Sequence, residues 1–418
     1  MDNEDGAAIR IAVARGGRGP SGRWGGVAMA SLTDLLDASD IGAMYRPTGQ
    51  AHGLPGRAYG AEFYALEQKR LFPRSWCAVG FASDIPDPGD AMPVELAGWP
   101  LILSRGKDGT IRAFHNICRH RAMRVLTEPC KGRSAFACPW HSWTYDLNGK
   151  LLSTPRIAGE SANDPAFDTS GLDLKPVKVG QWLDMVFVNI DGTASDFGAH
   201  MRPLNELLSH YDFGDLRRAD EWSVTYPGNW KVSVEGAIED YHLPWGHPQL
   251  IKGVRRSVPG LHSAPNCFYA NSSAREFSST PDPGTAMAQD AGLRQIVQPD
   301  KDGLLRTYFM SVFPTGVFQT RTNHVLQGLF TPDGPESTKV RFIHYYPGNA
   351  ADDPGLAQVR ADLAAEWKLV FEQDVPFVCH VHENYQRRDD AGIATHATPF
   401  WERNIHEFQK NVIDLLRD

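Results

Sequence analysis

The chain has 418 residues, of which 42% are hydrophobic and 22% charged, with a formal net charge of −8 at pH 7. This composition is typical of a globular protein of two or three domains and argues against a collagen, a coiled coil or a wholly disordered chain. The acidic balance provides no electrostatic surface for nucleic acid or an anionic membrane. No run of about 18 apolar residues and no signal peptide is found, so we expect a cytoplasmic protein.

The first predicted elements lie before residue 75. Residues 1–30 contain seven glycines, mixed charges and little hydrophobic periodicity, which predicts a disordered segment. Met29 is a second candidate start, and Ser31 after it is a candidate helix N-cap. Residues 62–72 have the spacing of a short amphipathic helix, which Pro73 is expected to end.

Turn signals then predict a series of β-strands. Lys107-Asp108-Gly109 and Asn148-Gly149 each separate two runs of strand-forming residues, which is typical of tight hairpins. Residues 60–178 are therefore interpreted as a small all-β domain.

The second half of the chain mixes predicted helices and strands. Residues 230–241 have helical spacing, and residues 307–330 and 340–346 are rich in strand formers. Residues 356–388 and 399–416 are predicted to be helical. A β domain followed by mixed helices and strands indicates the α+β class.

Two cysteines and two histidines form the first candidate site. They occur as Cys118-Arg-His120 and, after seventeen residues, as Cys138-Pro-Trp-His141. A Rieske [2Fe–2S] cluster needs two cysteines on one iron and two histidines on the other, and these two mixed pairs supply that set. The alternatives are a Cys₂His₂ zinc site, although such sites more often pair like residues, and thiols that bind no metal.

The sequence around these four residues resembles the Rieske motif of ring-hydroxylating and related oxygenases. The matching residues are Cys-Arg-His-Arg, then Cys-Pro-Trp-His-Ser-Trp-Thr-Tyr-Asp-Leu-Asn-Gly-Lys-Leu. High-potential Rieske proteins carry an extra, disulfide-bonded cysteine in each loop, where this chain has Met123 and Trp140. The resemblance is therefore to the low-potential oxygenase type, and it implies that the four residues bind the cluster.

The second candidate site follows about a hundred residues later and contains Glu235, Glu239, His242 and His247. On a helix, Glu235, Glu239 and His242 would share one face. A helix break after that face would let His247 fold back toward His242. Two imidazoles and one carboxylate form the facial triad of non-haem Fe(II) oxygenases. The alternative is that the two histidines are ordinary surface or core residues, because their spacing of five residues is by itself a weak signal for a metal site.

Together with the Asn-Trp-Lys that precedes it, this pattern resembles the iron-site motif of the same oxygenases. The resemblance implies that His242 and His247 bind a mononuclear Fe(II). It also implies a third, carboxylate ligand on the late helix, for which Asp374 is the prediction, with Glu372 and Glu383 as its rivals.

Glu239 occupies a position at which oxygenases of arenes generally carry Asp. The Glu form resembles the carnitine and quaternary-ammonium monooxygenases. Its implied role is to hydrogen-bond His242 in its own subunit and the partner subunit's His141, which would couple the two metal centres. Gly236 stands where the family usually has Asn, which leaves any amide role at that position open.

The resemblance covers residues 55–418 and implies the terminal oxygenase, or α subunit, of a Rieske non-haem iron oxygenase. The implied fold is an all-β Rieske domain over residues 60–178. A helix-grip (START-like) catalytic domain with an antiparallel sheet follows over residues 179–418, and residues 31–59 form a segment that packs on it.

The implied cofactors are a Rieske [2Fe–2S] cluster and a mononuclear Fe(II). Electrons would come from a separate NAD(P)H-dependent reductase of the flavin or ferredoxin type. The implied assembly is a homotrimer or a multiple of one, because the two metals of one subunit lie too far apart in such enzymes. The implied reaction uses O₂ to hydroxylate or oxidatively demethylate a small organic substrate.

The substrate stays open between a quaternary ammonium compound and, for a dioxygenase, an aromatic acid. Five aromatic residues could form a cage for a cation, although aromatics in such strands are more often core residues: Trp245, Tyr308, Phe309, Phe313 and Phe318. The remote alternative is a Rieske electron-transfer protein or a zinc-stabilised binding module without oxygenase activity.

Overall fold

The structure, a computed structural model, describes residues 30–159, 164, 166–251, 256–276, 293–300 and 302–417. The disorder predicted for residues 1–30 therefore falls, apart from Ala30, outside the described residues. None of the described helices is both long enough and apolar enough to cross a lipid bilayer.

The N-terminal segment contacts the last helix of the chain. Its own helices are α1 (Leu32–Leu35) and α2 (Ala38–Met44). Beyond them, Thr48 Oγ1 lies 2.7 Å from His406 Nδ1, and the Leu54 N–H donates to Gln409 Oε1 at 3.2 Å. These contacts hold the segment on the C-terminal part of the chain.

Helix α3 (Ala61–Arg74) contains Pro73, before which the sequence predicted it to end. That prediction placed the helix end too early, because a proline in the last turn removes only one backbone donor. The Ser75 N–H still reaches the Leu71 carbonyl at 3.1 Å. The Pro73 carbonyl instead accepts the Asn189 side-chain amide at 2.8 Å, which ties the helix to the first sheet.

The first half of the chain forms two antiparallel sheets. Their strands are β1 (Cys77–Phe81), β2 (Ala91–Leu96), β3 (Trp99–Arg105), β4 (Ile111–His115), β5 (Ala135–Ala137), β6 (Thr144–Asp146), β7 (Leu151–Ser153), β8 (Pro176–Trp182) and β9 (Met185–Asn189). The order is β1-β9-β8-β4-β3-β2 in the larger sheet and β5-β6-β7 in the smaller. Both predicted hairpins are confirmed, and Gly109 and Gly149 take the left-handed φ, 77° and 83°, that their turns require.

The predicted domain boundary between residues 178 and 179 lies inside β8. This strand pairs with β4 on one side and with β9 on the other. Because β9 returns to pair with β1, the first sheet continues to Asn189.

The second half is built on an antiparallel sheet of seven strands with the order β10-β16-β15-β14-β13-β12-β11. The strands are β10 (Leu216–Tyr226), β11 (Arg256–Ala264), β12 (Phe268–Glu276), β13 (Leu304–Val312), β14 (Gly316–Thr320), β15 (Val325–Pro332) and β16 (Thr338–Pro347). The region predicted as strand over residues 307–330 is divided among three of them. The turns at residues 313–315 and 321–324 lack the Asn-Gly or Asp-Gly pair that would have located them in the sequence.

Helices and the first sheet cover opposite faces of this second sheet. The remaining helices are α4 (Phe197–Leu207), α5 (Trp230–Ala237), α6 (Leu243–Gly246), α7 (Pro248–Ile251), α8 (Ala357–Arg388) and α9 (Arg403–Leu416). Of these, α4 lies on the side of the first sheet, because its Met201 and Leu204 belong to the same core as Phe81 of β1. Phe342 packs with Phe371 of α8 at a ring distance of 4.6 Å. The next residue, Ile343, belongs to the core that contains Phe81 of β1, as expected where side chains alternate along a strand. The predicted α+β class is confirmed.

Candidate metal centres

Three predicted ligands from separate segments meet beside α8. His242 and His247 flank α6, and Asp374 lies within α8. His247 Nε2 is 2.9 Å and His242 Nε2 is 4.0 Å from Asp374 Oδ1. Among the described residues, no other group of three or more His, Cys, Asp or Glu side chains has ligand atoms within 4.8 Å of one another.

A break in the backbone after α5 brings the two histidines together. The sequence predicted one helix over residues 230–241, but α5 ends at Ala237. The Glu239 carboxylate accepts the backbone N–H groups of Tyr241 and His242, and such local side-chain acceptors compete with helical hydrogen bonds. The short α6 then separates His242 from His247, whose ring centroids are 5.0 Å apart.

The outer nitrogen of each histidine faces an oxygen acceptor. His242 Nδ1 contacts Glu239 Oε1, and His247 Nδ1 lies 2.9 Å from Gln373 Oε1. Gln249 donates its amide to the same Gln373 oxygen at 2.7 Å, which orients the Gln373 side chain. If each ring donates through Nδ1 to this acceptor, its Nε2 is left with a lone pair for a metal.

The charge around these atoms favours a cation. Burial disfavours the imidazolium form of His242, but the hydrogen bond to Glu239 and the charges of Glu239 and Asp374 outweigh it, so the pKa of His242 is raised above its usual value. Two imidazole nitrogens and a carboxylate oxygen on one side of a cavity fit the facial coordination of a mononuclear iron.

Neither rival of Asp374 lies at this site. The Glu372 carboxylate pairs with Lys368 at 3.5 Å, and the Glu383 carboxylate accepts the Cys379 thiol at 3.7 Å. Because an α-helix has about 3.6 residues per turn, residues 372 and 374 point in different directions from α8.

Glu235 does not share a face with Glu239 and His242, contrary to the prediction. Since α5 ends before Glu239, the helical spacing that related the three residues is lost. Glu235 is fully buried and accepts the Tyr59 hydroxyl at 2.7 Å and the Gln409 amide at 2.8 Å. Burial raises the pKa of Glu235 to about 7. The residue joins the N-terminal segment to α5 and α9 and is not one of the three converging ligands.

The three ligands open into a cavity of about 780 Å³. One face of α8 forms a wall of this cavity, with Trp367, Phe371, Asp374, Val378 and Tyr385 recurring at helical spacing. A cavity of this size suits a small organic molecule.

Of the five aromatic residues predicted as a cage, Tyr308 and Phe309 line the cavity. Trp245 does not, since it is 73% exposed at the surface. Phe313 and Phe318 are buried in the two main hydrophobic cores. Other aromatic residues, which strand patterning did not indicate, complete the lining: Tyr226, Phe330, Trp367, Phe371, Phe377, Tyr385 and Trp401.

The four residues of the first candidate site lie on two loops with the same hydrogen-bond pattern. The N–H groups of Cys118 and Cys138 each donate to the carbonyl five residues later, both at 2.8 Å. Ala122 and Ser142 occupy equivalent positions with left-handed φ values of 59° and 56°. This conformation costs a non-glycine residue roughly 1–2 kcal/mol, so the surrounding hydrogen bonds must hold each loop in shape.

The cysteines of these loops are buried and the histidines are exposed. Cys118 and Cys138 are 3% and 2% exposed, and the rings of His120 and His141 lie 4.5 Å apart. No three of these four described side chains have ligand atoms within 4.8 Å of one another, whereas ligands around one zinc ion would lie about 4 Å apart. Paired cysteines and paired histidines instead fit a centre of two irons with one pair on each.

Two family models match the chain in the order of these two sites. The model described as "Rieske [2Fe-2S] domain" matches residues 75–167. The model described as "Ring hydroxylating alpha subunit (catalytic domain)" matches residues 213–418. The predicted cluster and mononuclear iron correspond to these two domains.

Named relatives share part of the chain. The glycine betaine monooxygenase oxygenase subunit of Chromohalobacter salexigens is 34% identical over 232 residues, which cover 54% of this chain and 51% of that protein. The carnitine monooxygenase oxygenase subunit of Acinetobacter pittii is 29% identical over 197 residues, 47% of this chain and 52% of that protein. The matched region thus spans about half the length of these curated relatives.

A solved structure shares the fold over most of the chain. The quaternary ammonium Rieske monooxygenase CntA in complex with γ-butyrobetaine superposes with a TM-score of 0.71 at 22% sequence identity. The superposition covers 90% of this chain and 99% of that one.

Proposed function

We propose that this chain, which contains a Rieske [2Fe–2S] domain and the catalytic domain of a ring-hydroxylating α subunit, is the terminal component of an oxygenase. The observation that carries the proposal is the presence of both metal-ligand arrangements in one chain, with the His242, His247 and Asp374 set opening into a cavity. The remote alternatives, an electron-transfer protein and a zinc module, need no such second site.

When bound, the cluster supplies single electrons and the mononuclear iron activates O₂. Cys118, Cys138, His120 and His141 are proposed to hold the cluster. His242, His247 and Asp374 are proposed to hold the mononuclear iron through Nε2, Nε2 and a carboxylate oxygen. The chain then contributes orientation, because Glu239 and Gln373 retain the protons on the two Nδ1 atoms, and the apolar cavity walls exclude water from the bound substrate.

The proposed reaction is hydroxylation or oxidative demethylation of a quaternary ammonium compound. The two named relatives are glycine betaine and carnitine monooxygenase subunits. The cavity supports the same choice, because aromatic faces and several carboxylates attract an alkylated cation. The carboxylates of the lining are those of Glu235, Glu239, Asp240, Asp374 and Glu402.

Dihydroxylation of an aromatic acid is the second candidate. The catalytic-domain model is that of ring-hydroxylating subunits. The side chain of Arg321 also lines the cavity, and a guanidinium suits a carboxylate ligand.

Electrons are proposed to come from a separate NAD(P)H-dependent reductase, of the flavin or ferredoxin type, and to cross between subunits of a homotrimer or a multiple of one. Exposed aromatic side chains support contacts at both ends of that path. Trp140, next to His141, is 50% exposed, and Trp245, near His242, is 73% exposed. Glu239 would join the partner subunit's His141 to His242. A cytoplasmic location is part of the same proposal.

A single-turnover experiment on the reconstituted protein tests the proposal. The chain is loaded anaerobically with iron and sulfide, and the cluster is reduced with dithionite. It is then mixed with γ-butyrobetaine or benzoate and ¹⁸O₂. We expect about three irons per chain and an oxidised product of one of the two compounds, with the oxygen label reporting mono- or dioxygenation. Two irons per chain and no product with either compound would contradict an oxygenase.

A further inference from the structure

A row of side chains on the second sheet faces the cavity. Asn271 of β12 pairs with Phe309 of β13, and Phe309 pairs in turn with Gln319 of β14. Residues directly opposite one another on paired strands share a face of the sheet. This face is the one against α8, because the Phe309 ring lies 6.1 Å from that of Phe371. All three members of the row line the cavity.

Two hydroxyl residues lie beside this row. Ser273 of β12 and Thr307 of β13 are opposite each other. Each is two positions from a member of the row on the same strand, so its side chain points to the same face. Both line the cavity and are half-buried. The sheet therefore contributes a wall of uncharged hydrogen-bonding side chains, named here the polar wall: Asn271, Ser273, Thr307 and Gln319.

The side chain of Gln319 lacks the hydrogen bonds that a buried amide normally makes. Only 4% of the residue is exposed, and its Oε1 atom is enclosed without a partner among the described residues. The other end of the amide, Nε2, is not enclosed in this way, so it is the end that opens into the cavity. An amide in this state is costly within the protein, but its N–H donors are available to a ligand.

The polar wall lies close to the metal-ligand end of the cavity. The Asn271 amide donates to Asp240 Oδ1 at 3.4 Å, and Asp240 is two residues before His242. On the opposite wall, Phe371 lies about one turn of α8, or about 4.5 Å along the axis, before Asp374. A small molecule with its reacting carbon at the metal-ligand end would therefore place its next few atoms against the polar wall.

We infer that the polar wall, through Gln319 and the hydroxyl groups of Thr307 and Ser273, binds a hydroxyl group of the substrate. A substrate hydroxyl can accept from the Gln319 amide and donate to a serine or threonine oxygen. The wall itself is uncharged, and a neutral hydroxyl needs no opposite charge when it is buried, whereas a carboxylate does. The inference deepens the proposed function and rests on it for the identity of the reacting end.

Binding measured without turnover tests the inference. The iron-loaded protein is kept free of O₂, and dissociation constants are determined by calorimetry for two pairs of probes that differ by one hydroxyl. The pairs are L-carnitine with γ-butyrobetaine, and 3-hydroxybenzoate with benzoate. The variants Gln319→Met and Thr307→Val keep the approximate size of the side chain and remove its hydrogen bonds. Thr331→Val is the matched control, since Thr331 is a half-buried strand residue outside the cavity lining.

We expect the wild type to bind at least one hydroxylated probe about 5- to 10-fold more tightly than its partner, the value of one neutral hydrogen bond. Gln319→Met and Thr307→Val should each remove most of that preference by weakening the hydroxylated probe alone. Thr331→Val should change neither probe.

The stability of the ligand-free protein is a second measurement. Because Gln319 has no internal partner to lose, Gln319→Met should keep or raise the thermal midpoint. A lower midpoint would show that the amide is bonded within the protein and would overturn the inference.

Equal losses for both members of a pair in Gln319→Met would also overturn the inference, because the wall would then bind a group that the two probes share. A wild type that prefers neither hydroxylated probe would do the same. Failure of the proposed function has a different signature. Hydroxyl-selective binding without O₂-dependent product would leave the hydroxyl site standing and remove the oxygenase. A preference for 3-hydroxybenzoate without binding of L-carnitine would remove only the quaternary ammonium substrate.

Discussion

The Nδ1 atom of His247 lies 2.9 Å from Oε1 of Gln373. The next residue, Asp374, faces the other nitrogen of the same ring. One stretch of α8 therefore both favours a proton on Nδ1 of His247 and supplies the neighbouring candidate metal ligand. The sequence alone predicted no role for Gln373.

Gln373→Leu removes the acceptor and should weaken binding of the mononuclear iron. Loss of such a hydrogen-bond partner typically costs about 10–100-fold in metal affinity. Competition with a chelator measures the change. Gln373→Glu keeps an acceptor at the same position and should retain the affinity; unchanged iron binding in Gln373→Leu would refute the orienting role.

Replacement of any one of His242, His247 and Asp374 by Ala should empty the mononuclear site and spare the cluster, because the cluster residues lie on separate loops of the first half of the chain. Each variant should lose about one iron per chain and all turnover, and keep the visible spectrum of the cluster. Glu372→Ala is the control, since that side chain pairs with Lys368 away from the site. If Asp374→Ala retains its iron, the third ligand is misassigned.

Glu239→Gln should block electron delivery while both metals stay in place, because Gln keeps the side-chain length but loses the charge that orients the imidazole N–H. After reduction of the cluster, substrate and O₂ are added and cluster reoxidation is followed. We expect it to slow by at least about 10–100-fold, with iron near three per chain. Glu239→Asp should be impaired less. Reoxidation at the wild-type rate in Glu239→Gln would remove the bridging role.

Asp84 connects the two halves of the chain, and its replacement should lower stability in a pH-dependent way. Its carboxylate accepts Arg218 at 2.9 Å and Arg341 at 2.7 Å. Burial opposes ionisation, but the two arginines outweigh it and lower the pKa of Asp84. The stabilisation is therefore present above the unfolded pKa of about 3.9 and is lost as the pH falls through the lower folded value.

We expect Asp84→Asn to lower the free energy of unfolding by about 2–3 kcal/mol at neutral pH. This is a little less than the loss expected when one partner of a fully buried ion pair is removed. The difference in thermal midpoint from the wild type should shrink below pH 4. Asp108→Asn is the matched control, because Asp108 pairs with Arg112 at 2.7 Å on an exposed hairpin, where such pairs contribute little. Equal effects of the two substitutions would argue against a special role of Asp84.

Glu235→Gln should stabilise the protein at alkaline pH. Burial raises the pKa of Glu235 to about 7, against about 4.3 in an unfolded chain. The unfolded state therefore loses its proton first, and wild-type stability falls between these two pH values and then levels off. A glutamine oxygen can still accept Tyr59 and Gln409. The thermal midpoint of the variant should be higher than that of the wild type at pH 8 and equal to it near pH 4. A lower midpoint for the variant at pH 8 would contradict this assignment.

The sequence by itself determined the candidate ligands where the informative residues are close in the chain. Cys118 and His120, or Cys138 and His141, are recognisable because each pair lies in one tight loop, and the spacing is a property of that loop. Asp374 is separated from the histidines by more than a hundred residues, so it could be proposed only by resemblance to a family.

The three-dimensional structure decided the features that depend on which groups form each hydrogen bond and which side chains pack together. Competition between the Glu239 carboxylate and the backbone ends α5, and this turns Glu235 away from the ligands that helical spacing had placed beside it. The position of Arg321 against Trp367 and the acceptor offered by Gln373 depend instead on residues far apart in the sequence. Each joins segments that meet only through packing of a strand turn or a loop against α8, and local periodicity contains no information about such contacts.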